Sequence, residues 1–147
     1  MLNKNKFMLK AIDLAKNNLK NMIDVPVASL IVLDNKIIAK GVNSVHKKNN
    51  IILHAEVVAI LNAMKKLKTN NLINCDLYTT LEPCIMCSGA IIEAKIKRVF
   101  VGAHDTTKNN IGLKILIDNK IEVYDVICME ESKKLLDLFF ENLRNKK

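Results

Sequence analysis

Strand-like and helix-like segments alternate along most of this chain, and that order leaves few folds open to it. Residues 6–22 place Phe7, Ala11, Leu14, Ala15, Leu19 and Met22 at helical spacing. VPVASLIVLDNKIIAKGVN (25–43) then reads as two strands joined at Asp34-Asn35, a hairpin-type turn signal. The first of these strands is apolar almost throughout, which suits burial on both faces. Residues 54–67 return to a helical pattern through Val57, Val58, Leu61, Ala63 and Met64, with Lys65 and Lys66 near the end. DLYTTL (76–81) is a strand, CIMCSGAIIEAKI (84–96) a helix and RVFVGA (98–103) a strand. A polar loop, HDTTKNN (104–110), a short GLKIL segment and a strand at EVYDVI (122–127) follow. The last stretch, MEESKKLLDLFFENLRNKK (129–147), is a helix with acids in its first turn and bases in its last, as the macrodipole prefers. A hairpin followed by alternating strands and helices predicts one mixed sheet of about five strands covered by helices. The expected fold class is α/β, a three-layer α/β/α sandwich.

At 147 residues, half of them apolar, the chain has material for one sizeable core, and a single domain over 1–147 is expected. Only Pro26, Pro83 and four glycines interrupt it, so long flexible linkers are not anticipated. No apolar run reaches the ~18–20 residues of a transmembrane helix. The basic start, MLNKNKFMLKAIDLAK, lacks an uninterrupted apolar stretch and carries Asp13, so it reads as an amphipathic helix rather than a targeting segment. A cytoplasmic protein without a membrane partner is expected, and its four cysteines should be reduced. The net charge of +8 favours a polyanionic partner. Lysine, asparagine and isoleucine are spread along the whole chain, however, so the charge is also a matter of general composition.

Cys84 and Cys87 stand three apart directly behind Pro83, at the start of a predicted helix. Proline is welcome in a first turn because it has no N–H to lose there. Residues three apart share a helical face, so both sulfurs can reach one ion, and a helix N-terminus favours the thiolate that binds zinc. His54, opening another predicted helix, is the candidate third ligand, and Glu56 follows two residues later. Three protein ligands leave a fourth zinc position open, the mark of a catalytic rather than a structural site. Other readings of the cysteines are a redox pair, or a closed structural cage completed by Cys75, Cys128, His46 or His104. Cys75 and Cys128 flank strands and are more simply small buried residues.

HAE at 54–56 with PCIMC at 83–87 resembles the signature of the zinc-dependent cytidine deaminase-like superfamily. Within it the chain is most similar to the bacterial enzymes that deaminate adenosine in tRNA. DVPVASLIV, the GVN of 41–43, LYTTLEPCIMCSGAIIEAKIKRVFVGAHD and LLDLFFENLR carry the likeness, which spans nearly the whole chain. The resemblance implies one zinc ion (Zn2+) per subunit, held by His54, Cys84 and Cys87, with Glu56 as proton shuttle. Asn43 falls where the family contacts the base, and Asp105 in the loop that it sets beside the RNA. The implied reaction is hydrolytic conversion of adenosine to inosine at the wobble position of a tRNA anticodon stem-loop, usually of an arginine tRNA. A homodimer is implied too. Lys47, Lys48, Arg144, Lys146 and Lys147 are candidate phosphate contacts. Of Phe139 and Phe140, adjacent on a helix, one should enter the core and one stay free for a partner. Ala28 replaces a usual glycine, Ile52 and Leu53 replace small or polar residues, and KNNIG lacks the usual glycine soon after its lysine. The alternatives are a small-molecule deaminase of the same fold, acting on guanine, cytosine or deoxycytidylate, and a non-catalytic zinc-stabilised RNA-binding protein. An intact Glu56 argues against the last.

Overall fold

The computed structural model of the chain describes residues 3–146. In chain order its elements are α1 (Lys4–Leu19), β1 (Ala28–Leu33), β2 (Lys36–Val42), α2 (Ala55–Leu67), β3 (Asp76–Leu81) and α3 (Ile85–Glu93). Next come β4 (Arg98–Ala103), α4 (Ile111–Asp118), β5 (Glu122–Tyr124) and α5 (Met129–Asn145). The strands form one sheet in the order β2-β1-β3-β4-β5. The hairpin turns at Asp34 and Asn35, both at positive φ (50° and 63°), the geometry that a two-residue turn between twisted strands requires. Strand β1 pairs antiparallel with β2 and β3, whereas β3–β4 and β4–β5 are parallel. Parallel neighbours need a crossover, which α3 and α4 supply. The sheet is therefore mixed, as the order of segments in the sequence predicts.

Side chains divide between the two faces with the period of two that a strand imposes. Ile31, Leu77, Val99 and Val101 face α2, α3 and α4, meeting Ala59, Ile60, Ala63, Ile91, Leu113 and Leu116. Leu30, Val32, Tyr78 and Phe100 face α1 and α5, meeting Phe7, Met8, Ala11 and Leu135. Tyr78 stacks on Phe100 with ring centroids 4.3 Å apart, a spacing within the favourable range for offset stacking. At the start of the two central parallel strands, Arg98 closes a bidentate pair on Asp76 (2.7 and 2.8 Å). The result is the three-layer α/β/α sandwich. On α5, Phe139 is buried (3% exposed) and Phe140 is 43% exposed, as the helix pattern requires.

Four boundaries differ from the sequence expectations. GLKIL is part of a full helix, α4, because only Leu113 and Leu116 need reach the core and so brief a pattern does not declare its period. The strand expected at 122–127 pairs only over Glu122–Tyr124; Val126 takes a left-handed conformation (φ 54°) that breaks the extended run, after which Ile127 N–H donates to Val101 O of β4. The first helix ends at Leu19 rather than 22, with Met22 at φ 53°, and the third ends at Glu93, with Lys95 at φ 68°. Lys147 lies outside the described residues.

Candidate active site

His54 and Cys84 occupy the same position on two different helices. Each is the residue just before the first helical one, of α2 and α3 respectively, with extended backbone (ψ 156° and 178°). Neither side chain caps its own helix, so both are free to turn outward. Cys87 lies in the first turn of α3, on the same face as Cys84. The two sulfurs each stand 3.5 Å from His54 Nδ1, and the three donor atoms all lie within 4.8 Å of one another. Ligands at zinc–nitrogen and zinc–sulfur bond lengths in tetrahedral array are separated by ~3.6 Å for N···S and ~3.8 Å for S···S. The donor set thus has the dimensions, as well as the chemistry, of three corners of a zinc tetrahedron. Among the described residues, Cys75, Cys128, His46 and His104 are not part of this cluster, so none of them closes the fourth corner.

The electrostatics point the same way. Two helix N-termini converge on the cluster and favour negative charge there. The Cys84 thiol is drawn down to about 3 by the hydrogen bond from Cys87, assisted by His54. Sharing that one negative charge pushes the Cys87 thiol up, and the pair with Cys84 raises His54. A cation bound between them would replace the shared proton and let both sulfurs ionise.

Glu56, in the first turn of α2, is 4% exposed, and burial is the main reason its carboxyl is pushed up to about 7. Such a group can both take and give a proton near neutral pH. Glu56, His54 and Cys84 line a cavity of about 690 Å³. Asn43 and Asp105 line it as well, so the structure gathers into one space five of the six residues singled out in the sequence, with Cys87 behind them. Asn43 lies one residue beyond β2; its backbone N–H donates to Val27 O, while its buried Oδ1 has no hydrogen-bond partner. Asp105 accepts from the backbone N–H and hydroxyl of Thr107 at 2.9 and 2.6 Å, shaping the loop after β4.

Two glycines set this arrangement. A β-carbon on Gly41 in β2 would overlap the backbone of Ala55 and Ala59, so its absence lets α2 lie against the strand. A β-carbon on Gly112 would overlap Pro83 O, next to Cys84. Ala28, Ile52 and Leu53, which depart from the family pattern, do not line the cavity. Ala28 is fully buried, with its N–H given to Thr80 Oγ1. Ile52 is half-exposed, and neither it nor Leu53 lines the cavity. Lys47, Lys48, Arg144 and Lys146 are exposed and do not line it either.

The sequence reading missed Glu82, Lys108, Lys133 and Asp137 and weighed His104 only as a metal ligand; all five face the cavity. Glu82 is the one with a signal. It stands between strand β3 and Pro83, on the segment that leads into Cys84, and its carboxylate is fully buried (side chain 0% exposed). The others come from a loop and an amphipathic helix, where polar residues are ordinary.

Residues 1–103 match the family model described as the cytidine and deoxycytidylate deaminase zinc-binding region. The tRNA-specific adenosine deaminase of Buchnera aphidicola subsp. Schizaphis graminum is 41% identical over 126 residues, 82% of this chain and 83% of that protein. A structure solved in studies of A-to-I editing by tRNA:A34 deaminases at the wobble position of transfer RNA superposes with a TM-score of 0.82. It is 32% identical, over 89% of this chain and 99% of that one. The guanine deaminase of Bacillus subtilis is 41% identical over 76% of this chain and 71% of its own, with a TM-score of 0.69. Among the described residues no helix is long and apolar enough to cross a membrane. By these matches, the chain belongs to the zinc-binding cytidine and deoxycytidylate deaminase family and, within it, to the tRNA-specific adenosine deaminases.

Proposed function

We propose that this protein hydrolyses adenosine to inosine at the wobble position of a tRNA anticodon, that of an arginine tRNA. The observation that carries the reading is the meeting of three donors at zinc-tetrahedron spacing with a buried carboxyl two residues along, all at one cavity. The relatives named above that act on tRNA match over most of both chains, which supports the substrate class.

His54, Cys84 and Cys87 would hold one zinc ion per subunit, which when bound makes water a nucleophile at neutral pH. Glu56 takes the proton of the attacking water and delivers it to N1 of adenine as the oxygen adds to C6. It then carries the second proton to the departing amine, so that water and adenosine become inosine and ammonia. A carboxyl with its affinity for protons raised toward neutrality is suited to both transfers. Asn43, with its unpartnered Oδ1, would receive a donor from the nucleotide, and Asp105 would contact the RNA from its loop. A base stacked in a helix cannot enter such a cavity, so the nucleotide must be splayed from a loop. The exposed Lys47, Lys48, Arg144 and Lys146 would take backbone phosphates. Exposed Ile52, Ile85, Met86 and Ile111, at or near the starts of α2, α3 and α4, support a homodimer with an apolar contact. The reading includes a single deaminase domain over 1–147 and a cytoplasmic location.

The second reading is a guanine deaminase, favoured by the 41% identity to the Bacillus subtilis enzyme. Purified protein with zinc bound, incubated with an anticodon stem-loop carrying adenosine at the wobble position, should yield inosine at that one site by mass. No inosine there, and xanthine formed from guanine, would replace the first reading with the second.

A further inference from the structure

Part of the cavity wall is formed by residues 104–108 of a seven-residue loop, 104–110, between β4 and α4. It has no sheet partner of its own, and Asn109 and Asn110 both sit at positive φ. Such a segment is ordinarily mobile. Here both of its ends are tied down. At its start, the Asp105 backbone N–H donates to Glu82 Oε1 at 2.5 Å, across 23 residues of sequence. The Glu82 carboxylate is fully buried, at the end of the central strand β3, and so it is a fixed post for that bond. His104 Nδ1 stands 3.5 Å from the same Glu82 oxygen and 3.1 Å from Asn110 Oδ1, at the loop's other end. His104 Nε2 stands 3.1 Å from Asp125 Oδ2, in the turn that leads into α5. One imidazole thus joins the end of β3, the start of α4 and the entry to α5, and each of its nitrogens faces an oxygen.

We propose that Glu82 and His104 are positioning residues, which hold the 104–110 loop as a preformed wall and so set how tightly the cavity grips its substrate. Glu82 acts through the Asp105 backbone, and His104 through Asn110 and Asp125. The proposal rests on the deaminase reading for its kinetic consequence only; the ordering of the loop is independent of what the substrate is.

The test uses zinc-loaded full-length protein, with Glu82→Ala, Glu82→Gln and His104→Ala beside the wild type. Hydrogen exchange across 104–110, zinc content, and kcat and KM on the wobble-adenosine stem-loop are read for each. Glu82→Ala should speed exchange in the loop by about tenfold or more, through loss of a buried acceptor. It should raise KM by about tenfold with a much smaller fall in kcat, the pattern of lost binding rather than lost chemistry, with zinc content unchanged. Glu82→Gln keeps an oxygen for the Asp105 N–H and should restore most of both. His104→Ala should speed exchange at the Asn110 end. Loop exchange and KM at wild-type values in Glu82→Ala would overturn the proposal. So would a Glu82→Ala protein that loses zinc, since the residue would then serve the metal centre. A Gln variant as impaired as the Ala variant would overturn the acceptor role. Should the wild type leave the stem-loop unchanged, the substrate reading fails, and the exchange data still decide whether Glu82 and His104 hold the loop.

Discussion

Gly41→Ala adds a single methyl group, and the structure says that it should reach the metal centre. The new carbon would overlap Ala55 O and Ala59 N, both backbone atoms of α2, and press on Ala59 Cα at 3.0 Å. Comfortable carbon contacts lie near ~3.5 Å, so the strand and the helix must part by about 1 Å. No rotamer change can absorb this, because the obstructing atoms are backbone. The strand could yield, but the pairs Ser29↔Gly41 and Ala28↔Val42 tie it to β1. The helix could yield, but Ala59, Ile60 and Ala63 fix it in the core. Overpacking of this kind costs about 1–3 kcal/mol. For a chain of this length, that lowers the midpoint of thermal unfolding by about 3–10 °C. Ala55 is the residue after His54, so a retreat of α2 carries the imidazole away from the two sulfurs. Displacements that disturb ligand orientation typically cost about 10–100-fold in metal affinity, and a fall of at least about tenfold is expected. Differential scanning fluorimetry of the metal-free protein reads the first effect, and zinc competition against a chromophoric chelator reads the second. An unfolding midpoint within about a degree of wild type, with unchanged zinc affinity, would refute the claim that close approach of strand and helix positions His54.

Three further substitutions separate chemistry, metal binding and stability. Glu56→Gln should keep its zinc and lose about 100-fold or more in kcat, the scale of a general acid–base contribution; metal analysis with single-turnover inosine formation checks it, and substantial residual turnover would remove Glu56 from the mechanism. Cys87→Ala leaves two of three donors, so cobalt(II) titration should lose the tetrahedral thiolate spectrum given by the wild type. Arg98→Met strands the Asp76 carboxylate, whose side chain is only 10% exposed against 37% for Arg98, and should cost about 1.5–3 kcal/mol in chemical denaturation, the scale of hydrogen bonds to a charged group, with zinc content and kcat unchanged.

The parts of this molecule that could be read from its sequence share a physical origin. Pro83 ahead of Cys84, and Cys87 three residues on, announce a helix start and a common face at once, so local chemistry declares the site. His54 and Glu56 carry the same kind of message on α2. The nearly unbroken apolar run of β1 likewise declared a strand buried on both faces, and Asp34-Asn35 its hairpin. What stayed hidden depends on contacts between distant segments. Glu82 reads as one more acid until its bond to the Asp105 backbone, 23 residues on, is seen. His104 lies in a polar loop, and nothing local ties it to Asp125. Val126 is a β-branched residue in a left-handed conformation, where a sequence would signal the turn with glycine. Its neighbours alone therefore read as a longer strand.

The lining of the cavity divides into two sides by the elements that supply it. The proposed metal donors and Glu56 sit at helix starts fastened to the sheet by Gly41, Gly112 and a continuous apolar core. The rest of the lining comes from the 104–110 loop and from α5, which contribute Asp105, Lys108, Lys133 and Phe140. Deamination of adenosine and of guanine makes the same demands on the first side: a nucleophile, a proton carrier and an open metal position. On the proposed reading, the difference between a nucleotide in RNA and a free base is drawn by the second side, which would meet the sugar, the phosphates and the flanking residues. The high identity to both an adenosine and a guanine deaminase follows from that division. Because the loop is held through Glu82 and His104 rather than through the metal donors, substitutions there can shift substrate preference while the reacting centre stays intact.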